Sequence, residues 1–161
     1  LVFLLLTYSV SILSRWGISN LLICRRMLGL WTFFYMFAHF LAFFLFEHSF
    51  ILSSLATDFI NRPFVAIGIV ALFLTFPLVI TSNNFSVKFL KRKWKKLHFL
   101  INPVIILTLV HFYLHRAGKN DFFEPFIALG VFLFFFCSKY LNYLVLKIKN
   151  FVMRLKKNFI H

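Results

Sequence analysis

Long apolar segments, separated by short polar connections, dominate the sequence. A helix needs about 20 mostly apolar residues to cross the hydrocarbon core of a bilayer, and four segments meet or approach that length. A fifth apolar run opens the chain. No segment alternates between polar and apolar residues as the strands of membrane barrels do. We therefore predict an all-α integral membrane bundle in a single domain over residues 1–161, with helices at 1–14, 27–47, 64–82, 97–115 and 125–147.

Two segments differ from a simple series of full spans joined by tight turns. Residues 1–14 are too few for a full span, and they lack the charged start and the small-residue cleavage site of a signal peptide. We expect them to be the second half of a span, with an earlier N-terminal span missing and six spans in the complete bundle. Residues 49–63 are too many for a tight turn and carry several apolar side chains, which predicts a short helix on the outer surface.

The composition narrows the class of protein. Hydrophobic residues make up 61% of the chain, mean hydropathy is +0.89, and only 14% of residues are charged. A soluble domain has roughly a quarter of its residues charged, so a soluble globular enzyme is excluded. Aromatic residues at 21% exclude a disordered chain, since such chains are poor in them. We expect contact with membrane lipid and no nucleic-acid partner.

The basic residues predict the orientation. Of the 18 Lys and Arg, only Arg62, Arg116 and Lys119 fall on one side of the predicted bundle, and the other 15 fall on the opposite side. By the positive-inside rule the side with 15 faces the cytoplasm, so the C-terminus is cytoplasmic. The basic run at 88–96 is interpreted as part of this signal and as a contact for anionic lipid. The opposite side carries every acidic residue of the chain: Glu47, Asp58, Asp121 and Glu124.

Three histidines, His39, His98 and His111, lie in the predicted spans, where ionisable groups are costly and mark candidate sites. His39 follows Arg26 by 13 residues and His111 follows His98 by 13. At 1.5 Å per residue this is about 20 Å, and both helices run the same way. His39 and His111 are therefore expected at similar depth in the outer half of the membrane, and His98 near the inner face.

Two imidazoles at matched depth on facing helices are typical of axial haem ligands. A zinc site would need three or four clustered ligands, and a proton relay would favour embedded carboxylates, which these spans lack. Considered alone, His39 has another interpretation, namely a core residue that forms hydrogen bonds. His98 and His111 would not share a face of an ideal helix, so either Pro103 distorts the helix or the two histidines serve different haems.

The other histidines are expected to lie outside any such site. His48, beside Glu47 at a helix end, and His161, at the chain end, are expected to be solvated. His115 follows His111 by one helical turn and adjoins Arg116, so we expect it at the membrane boundary. The alternative is that His115 acts as the ligand in place of His111.

Several stretches of this sequence resemble the MsrQ family, formerly YedZ, within the ferric-reductase-like transmembrane superfamily. They are RRMLGLWTFFYMFAHF at 25–40, NRPFVAIGIV at 61–70, ITSNNFSVKFLKRKWKKLHFL at 80–100 and HFYL at 111–114. The resemblance implies a six-helix b-type cytochrome of the bacterial inner membrane that contains one or two haems. It also implies electron transfer from the quinone pool, or from a cytoplasmic flavin reductase, to a periplasmic molybdenum enzyme, MsrP. That partner repairs methionine sulfoxide in envelope proteins.

The resemblance assigns the haem-associated histidines to His39, His98 and His111, and it implies FMN without a recognisable flavin motif. Related NADPH oxidases have two histidines on each of two helices, whereas this chain has Arg26 where the fourth would lie. We interpret Arg25 and Arg26 as partners of haem propionates or of a flavin phosphate, with Trp94 as a weaker candidate for cofactor contact. The alternatives are a stand-alone ferric reductase, a quinol-dependent cytochrome b, and a cofactor-free membrane scaffold or transporter.

Overall fold

The computed structural model describes residues 1–14 and 21–158, with side chains described except at 21–23, 139, 142, 143 and 145–158. Eight α-helices account for most of these ranges, and a 3₁₀ turn, His98–Leu100, joins the sixth helix to the seventh. Within the described ranges no strand occurs, so the all-α prediction is confirmed. The helices are α1 Val2–Leu13, α2 Leu21–His48, α3 Leu52–Asn61, α4 Pro63–Ile80, α5 Asn84–Leu90, α6 Arg92–Leu97, α7 Ile101–Ala117 and α8 Phe123–Asn158.

Three helical segments of the described chain are long and apolar enough to cross a membrane: Cys24–His48, Pro63–Ile80 and Arg92–Ala117. Two further apolar helices, Val2–Leu13 and Phe123–Ser138, are shorter. The predicted boundaries hold within a few residues except at two ends. Helix α2 begins at Leu21, six residues before the predicted start, and α8 continues to Asn158 instead of ending near 147. Lysine and arginine are good helix formers, so the basic residues end the apolar segment of α8 without ending the helix.

Pro103 lies next to a break in α-helical geometry, as one interpretation of the sequence expected. It lies in the first turn of α7, directly after the 3₁₀ turn. Because proline has no N–H, the Phe99 carbonyl loses its α-helical donor. The side-chain amide of Asn102 replaces that donor, with its Nδ2 at 2.8 Å from the Phe99 oxygen. The helical path from α6 to α7 is thereby continuous.

The core of the bundle lies between α1, α4, α7 and α8. Helix α4 packs along α7, α1 packs against α2 and α8, and α2 also contacts α4. Between membrane-spanning helices such side chains stabilise the bundle through van der Waals packing, since lipid tails are as apolar as the side chains themselves. The buried cluster consists of Leu4, Tyr8, Ile12, Leu78, Val104, Ile105, Leu109, Ala128 and Phe132.

The predicted short helix in the 49–63 connection is confirmed as α3, which packs against α2 and α4. The expectation that His48 is solvated is wrong, because only 5% of it is exposed. Positive φ angles at Ser49 and Phe50 turn the chain back, so that α3 covers the His48 ring. Its Nδ1 lies 2.7 Å from Ser54 Oγ, and its Nε2 lies 3.5 Å from Asp58 Oδ2.

The acidic residues all form ion pairs with two arginines at one end of the bundle. Arg62 contacts Glu47 at 3.3 Å and Asp58 at 3.2 Å. Arg116 contacts Asp121 at 3.1 Å and also pairs with Glu124. At the opposite end, α5 and α6 expose six basic side chains: Lys88, Lys91, Arg92, Lys93, Lys95 and Lys96. The two ends of the bundle therefore differ in charge as the sequence predicted.

Candidate functional site

A cavity of about 430 Å³ lies between α1, α2, α4 and α7, near the end that carries the acidic residues. We call it the paired-histidine cavity, because His39 of α2 and His111 of α7 face each other across it. Apolar and aromatic side chains make up most of its wall, and its described lining contains no Lys or Arg. His115 lies at its mouth with its side chain exposed and its ring 5.8 Å from the Phe64 ring.

The geometry of the two imidazoles suits a shared metal ion. The ring centroids of His39 and His111 are 6.5 Å apart and the ring planes are inclined by 74°. A metal–imidazole bond is about 2 Å long, so two imidazoles that bind one metal ion from opposite sides have centroids about 6 Å apart. The expected proximity of His39 and His111 is confirmed. The His39 side chain is exposed and that of His111 half-buried, and the wall around them is mostly apolar.

The tautomer of His111 follows from its partner. Its Nδ1 lies 2.7 Å from the backbone oxygen of Phe64 in α4. A carbonyl oxygen only accepts, so Nδ1 carries the proton and Nε2 keeps a lone pair, as metal-binding histidines require. For His39, no hydrogen bond to either ring nitrogen occurs among the residues that the structure describes. Phe64 and its neighbour Gly68 were not predicted as site residues, because sequence spacing does not show which carbonyl faces a ring.

A second cavity, of about 270 Å³, lies toward the basic end of the bundle. We call it the basic cavity. The structure brings into its lining all four residues that the sequence assigned to the inner face: Arg25, Arg26, Trp94 and His98. Arg26 donates from Nη1 to Asn84 Oδ1 at 3.2 Å. Because the carboxylates of the chain pair with Arg62 and Arg116 at the other end, the charge in this cavity suits an anionic group.

His98 is held differently from His111. Its ring stacks on Trp94 with centroids 4.0 Å apart, and its Nε2 lies 3.2 Å from Thr81 Oγ1. The Thr81 hydroxyl donates its one proton to the Pro77 carbonyl over a shorter distance, 2.6 Å, so His98 Nε2 is the donor to Thr81. Trp94 Nε1 donates to the Thr81 carbonyl at 2.9 Å. Iron ligation through His98 Nε2 therefore requires exchange of the bond to Thr81.

The two cavities share part of their walls. Leu4 of α1 and Thr32 of α2 line both of them. The Thr32 hydroxyl is buried and lies 3.3 Å from the hydroxyl of Thr7. The two cavities are therefore adjacent at Leu4 and Thr32. His161 lies outside the described residues.

Comparison with known proteins identifies the family to which the chain belongs. The profile of the ferric reductase like transmembrane component family matches residues 1–109. The chain is 41% identical over 129 residues to a protein of Herminiimonas arsenicoxydans, covering 79% of this chain and 59% of that relative. It is also 41% identical over 133 residues to a protein of Ralstonia nicotianae, covering 81% and 61%.

Both relatives are named protein-methionine-sulfoxide reductase heme-binding subunit MsrQ. The chain spans about three-fifths of the length of these curated relatives. No solved structure matches it at a significant level. The match to residues 1–109 covers α1 to about the middle of α7; it includes His39 and His98 and ends before His111. The chain is therefore a multi-pass membrane protein that belongs to the ferric reductase like transmembrane component family.

Proposed function

We propose that this chain is the membrane electron-transfer subunit of a redox system and binds haem b between His39 and His111. One observation supports this assignment above the others, namely the two imidazoles 6.5 Å apart across an apolar cavity. When bound, haem supplies an iron centre that takes up and releases one electron at a time. The chain supplies the two ligands, the hydrogen bond that orients His111, and a wall of mostly apolar and aromatic side chains.

The basic cavity is our proposed site of electron entry. Its Arg25 and Arg26 would neutralise the phosphate of a reduced flavin such as FMN, or haem propionates, since guanidinium groups pair well with such anions. His98 would hydrogen-bond a carbonyl of the flavin or of a quinol, and Trp94 would offer a flat face for stacking. A second haem on His98 is the alternative, with Thr81 giving up its bond to Nε2.

The placement of the two cavities supports our proposal that electrons move toward the acidic end. The shared wall at Leu4 and Thr32 brings the entry site close to the proposed haem. With the basic end in the cytoplasm and the chain in the bacterial inner membrane, electrons would leave on the periplasmic side. The names of the relatives support a protein-methionine-sulfoxide reductase as the acceptor. We propose that this acceptor is the periplasmic molybdenum enzyme MsrP, which the resemblance of the sequence implies.

Two other functions are distinguished by experiment. The family description favours a stand-alone ferric reductase as the second candidate, since such a protein would use the same haem and pass electrons to ferric iron. A cofactor-free scaffold or transporter would give the two facing imidazoles no role. The test is the visible spectrum of the purified protein, followed by reoxidation kinetics with an MsrP-type enzyme and with ferric chelates.

The proposal predicts a Soret band that shifts on reduction, and reoxidation that is faster with the MsrP-type enzyme and its methionine sulfoxide substrate than with the ferric chelate. A preference for the chelate would favour the ferric reductase. A spectrum without haem bands, in protein purified from haem-replete cells, would contradict the proposed function as a whole.

A further inference from the structure

Gly68 of α4 lies directly against the ring of His111. A Cβ atom placed on Gly68 would be 2.8 Å from His111 Nδ1 and 2.9 Å from its Cε1, closer than side-chain atoms approach. The contact is specific to this position among the described glycines. A Cβ on Gly29 or Gly118 would meet its nearest atom at 3.8 Å or 3.7 Å, and one on Gly130 would meet nothing within 4 Å.

Gly68 also exposes the carbonyl that His111 uses. Phe64 precedes Gly68 by four residues, so Gly68 is the residue whose N–H faces the Phe64 oxygen in an α-helix. Cα–Cβ bonds lean toward the N-terminus of a helix, so a side chain at position 68 would cover that oxygen. A carbonyl oxygen has two lone pairs and can serve both partners. The bare Cα of Gly68 leaves the second lone pair open to the imidazole 2.7 Å away.

We propose that Gly68 and the Phe64 carbonyl together position the His111 imidazole for iron, holding Nε2 toward His39. This inference rests on the proposed haem site and adds Gly68 to it as a positioning residue. Hydrogen bonding at Nδ1 fixes ring orientation and raises the basicity of the ligand nitrogen, and such outer partners typically contribute about 10- to 100-fold in metal affinity. His39 has no equivalent hydrogen bond among the described residues, so the two ligands differ in donor strength.

The first experiment compares Gly68→Ala with Gly130→Ala, which adds the same methyl group where nothing lies within 4 Å. The measurements are haem affinity, the absorption spectrum and the reduction potential of the haem, together with helicity and thermal unfolding. We expect Gly68→Ala to bind haem about 10- to 100-fold more weakly and to raise its potential, since a less basic ligand stabilises ferric iron less. Gly130→Ala should match the wild type in all of them.

A structural role in α4–α7 packing would lower thermal stability in Gly68→Ala and leave the spectrum and potential of the retained haem unchanged. That result would overturn the inference. His111→Ala separates this failure from failure of the haem site itself. If His111→Ala loses haem while Gly68→Ala behaves like the wild type, only the positioning role is wrong. If His111→Ala keeps wild-type haem, the proposed haem site is wrong.

A second experiment does not depend on Gly68→Ala folding. His111→Gly leaves space for an added ligand, which can be imidazole or 1-methylimidazole. Both bind iron, but 1-methylimidazole has no N–H to donate to the Phe64 carbonyl. His39→Gly is the matched control, since that ring makes no described hydrogen bond. We expect the potentials with the two ligands to differ more in His111→Gly than in His39→Gly. Equal differences would contradict the role of the Phe64 carbonyl.

Discussion

The paired-histidine cavity and the basic cavity differ in how their histidines are bonded. His111 gives its Nδ1 proton to a backbone carbonyl and keeps Nε2 for the cavity. His98 gives Nε2 to the Thr81 hydroxyl and presents its ring face to Trp94. The same side chain is thus prepared for metal ligation at one site and for hydrogen bonding or stacking at the other.

The side chains that line the two cavities also differ. The described lining of the paired-histidine cavity is apolar apart from its histidines, Tyr35 and two threonines, whereas the basic cavity contains Arg25 and Arg26 beside Asn83 and Asn84. An apolar wall suits a permanently bound macrocycle, and a positively charged one suits an anionic molecule that exchanges. The position of a histidine within a membrane span does not by itself assign its role. The partner of each ring nitrogen decides it.

The largest effect is expected from removing either proposed ligand. His39→Ala and His111→Ala should each lose most of the bound haem, because each deletes one of two bonds that hold the iron. His115→Ala should keep it, because we place His115 at the mouth of the cavity and not between the two ligands. Haem per chain, measured after purification, checks this. Wild-type haem content in both His39→Ala and His111→Ala would show that the paired-histidine cavity does not provide the haem ligands.

The next effect concerns electron entry. His98→Ala should slow haem reduction about tenfold or more while the haem at His39 and His111 is retained, because a lost donor contact of 1.4 kcal/mol already gives a factor of ten. Arg26→Ala should act in the same direction more weakly. Rates of reduction by quinol and by reduced flavin, in membranes with matched haem content, check this. Unchanged rates with both donors would show that electrons enter elsewhere, and loss of a haem equivalent would favour a second haem.

His48→Ala tests whether a buried histidine outside both cavities is only structural. It removes the contacts to Ser54 and Asp58 and the ring packing on Phe43, so we expect a loss of about 1–3 kcal/mol in stability. Haem content should stay near the wild type, because His48 lines neither cavity. Thermal unfolding and haem quantification give the two values. A loss of haem at unchanged stability would contradict the structural role.

The smallest effect is expected from Thr81→Val, which removes the hydroxyl that His98 Nε2 contacts and keeps a similar shape. A single hydrogen bond contributes about 1 kcal/mol, so donor-driven reduction should slow by a few-fold and by less than in His98→Ala. Stopped-flow reduction with the same two donors checks this. If the hydrogen bond to Thr81 instead keeps His98 from binding iron, Thr81→Val should bind more haem per chain than the wild type. The basic cavity would then be a haem site as well.

Counting residues along the helices was enough to predict that His39 and His111 lie at the same level of the bundle, because position along a helix axis follows directly from helical rise. It was not enough to predict the contacts of Phe64 and Gly68 with His111. Those depend on how α4 and α7 are rotated about their axes, which their nearly uniform apolar sequences do not encode.

The error at His48 has a similar cause. A position at a helix end predicts solvent exposure only if the chain continues away from the bundle. Here the left-handed backbone at Ser49 and Phe50 returns the chain over the ring, although neither is a glycine that would have signalled it. The charge pattern, by contrast, was predicted well, since the acidic residues need only lie in the connections at one end.

Electron paramagnetic resonance of the oxidised, purified protein tests the central claim most directly. Ligation by two imidazoles makes ferric haem low-spin. We therefore predict a low-spin ferric signal in the wild type that is replaced by a high-spin signal, or lost with the haem, in His39→Ala and in His111→Ala. A low-spin signal of unchanged shape and intensity in both variants would contradict haem ligation by this pair.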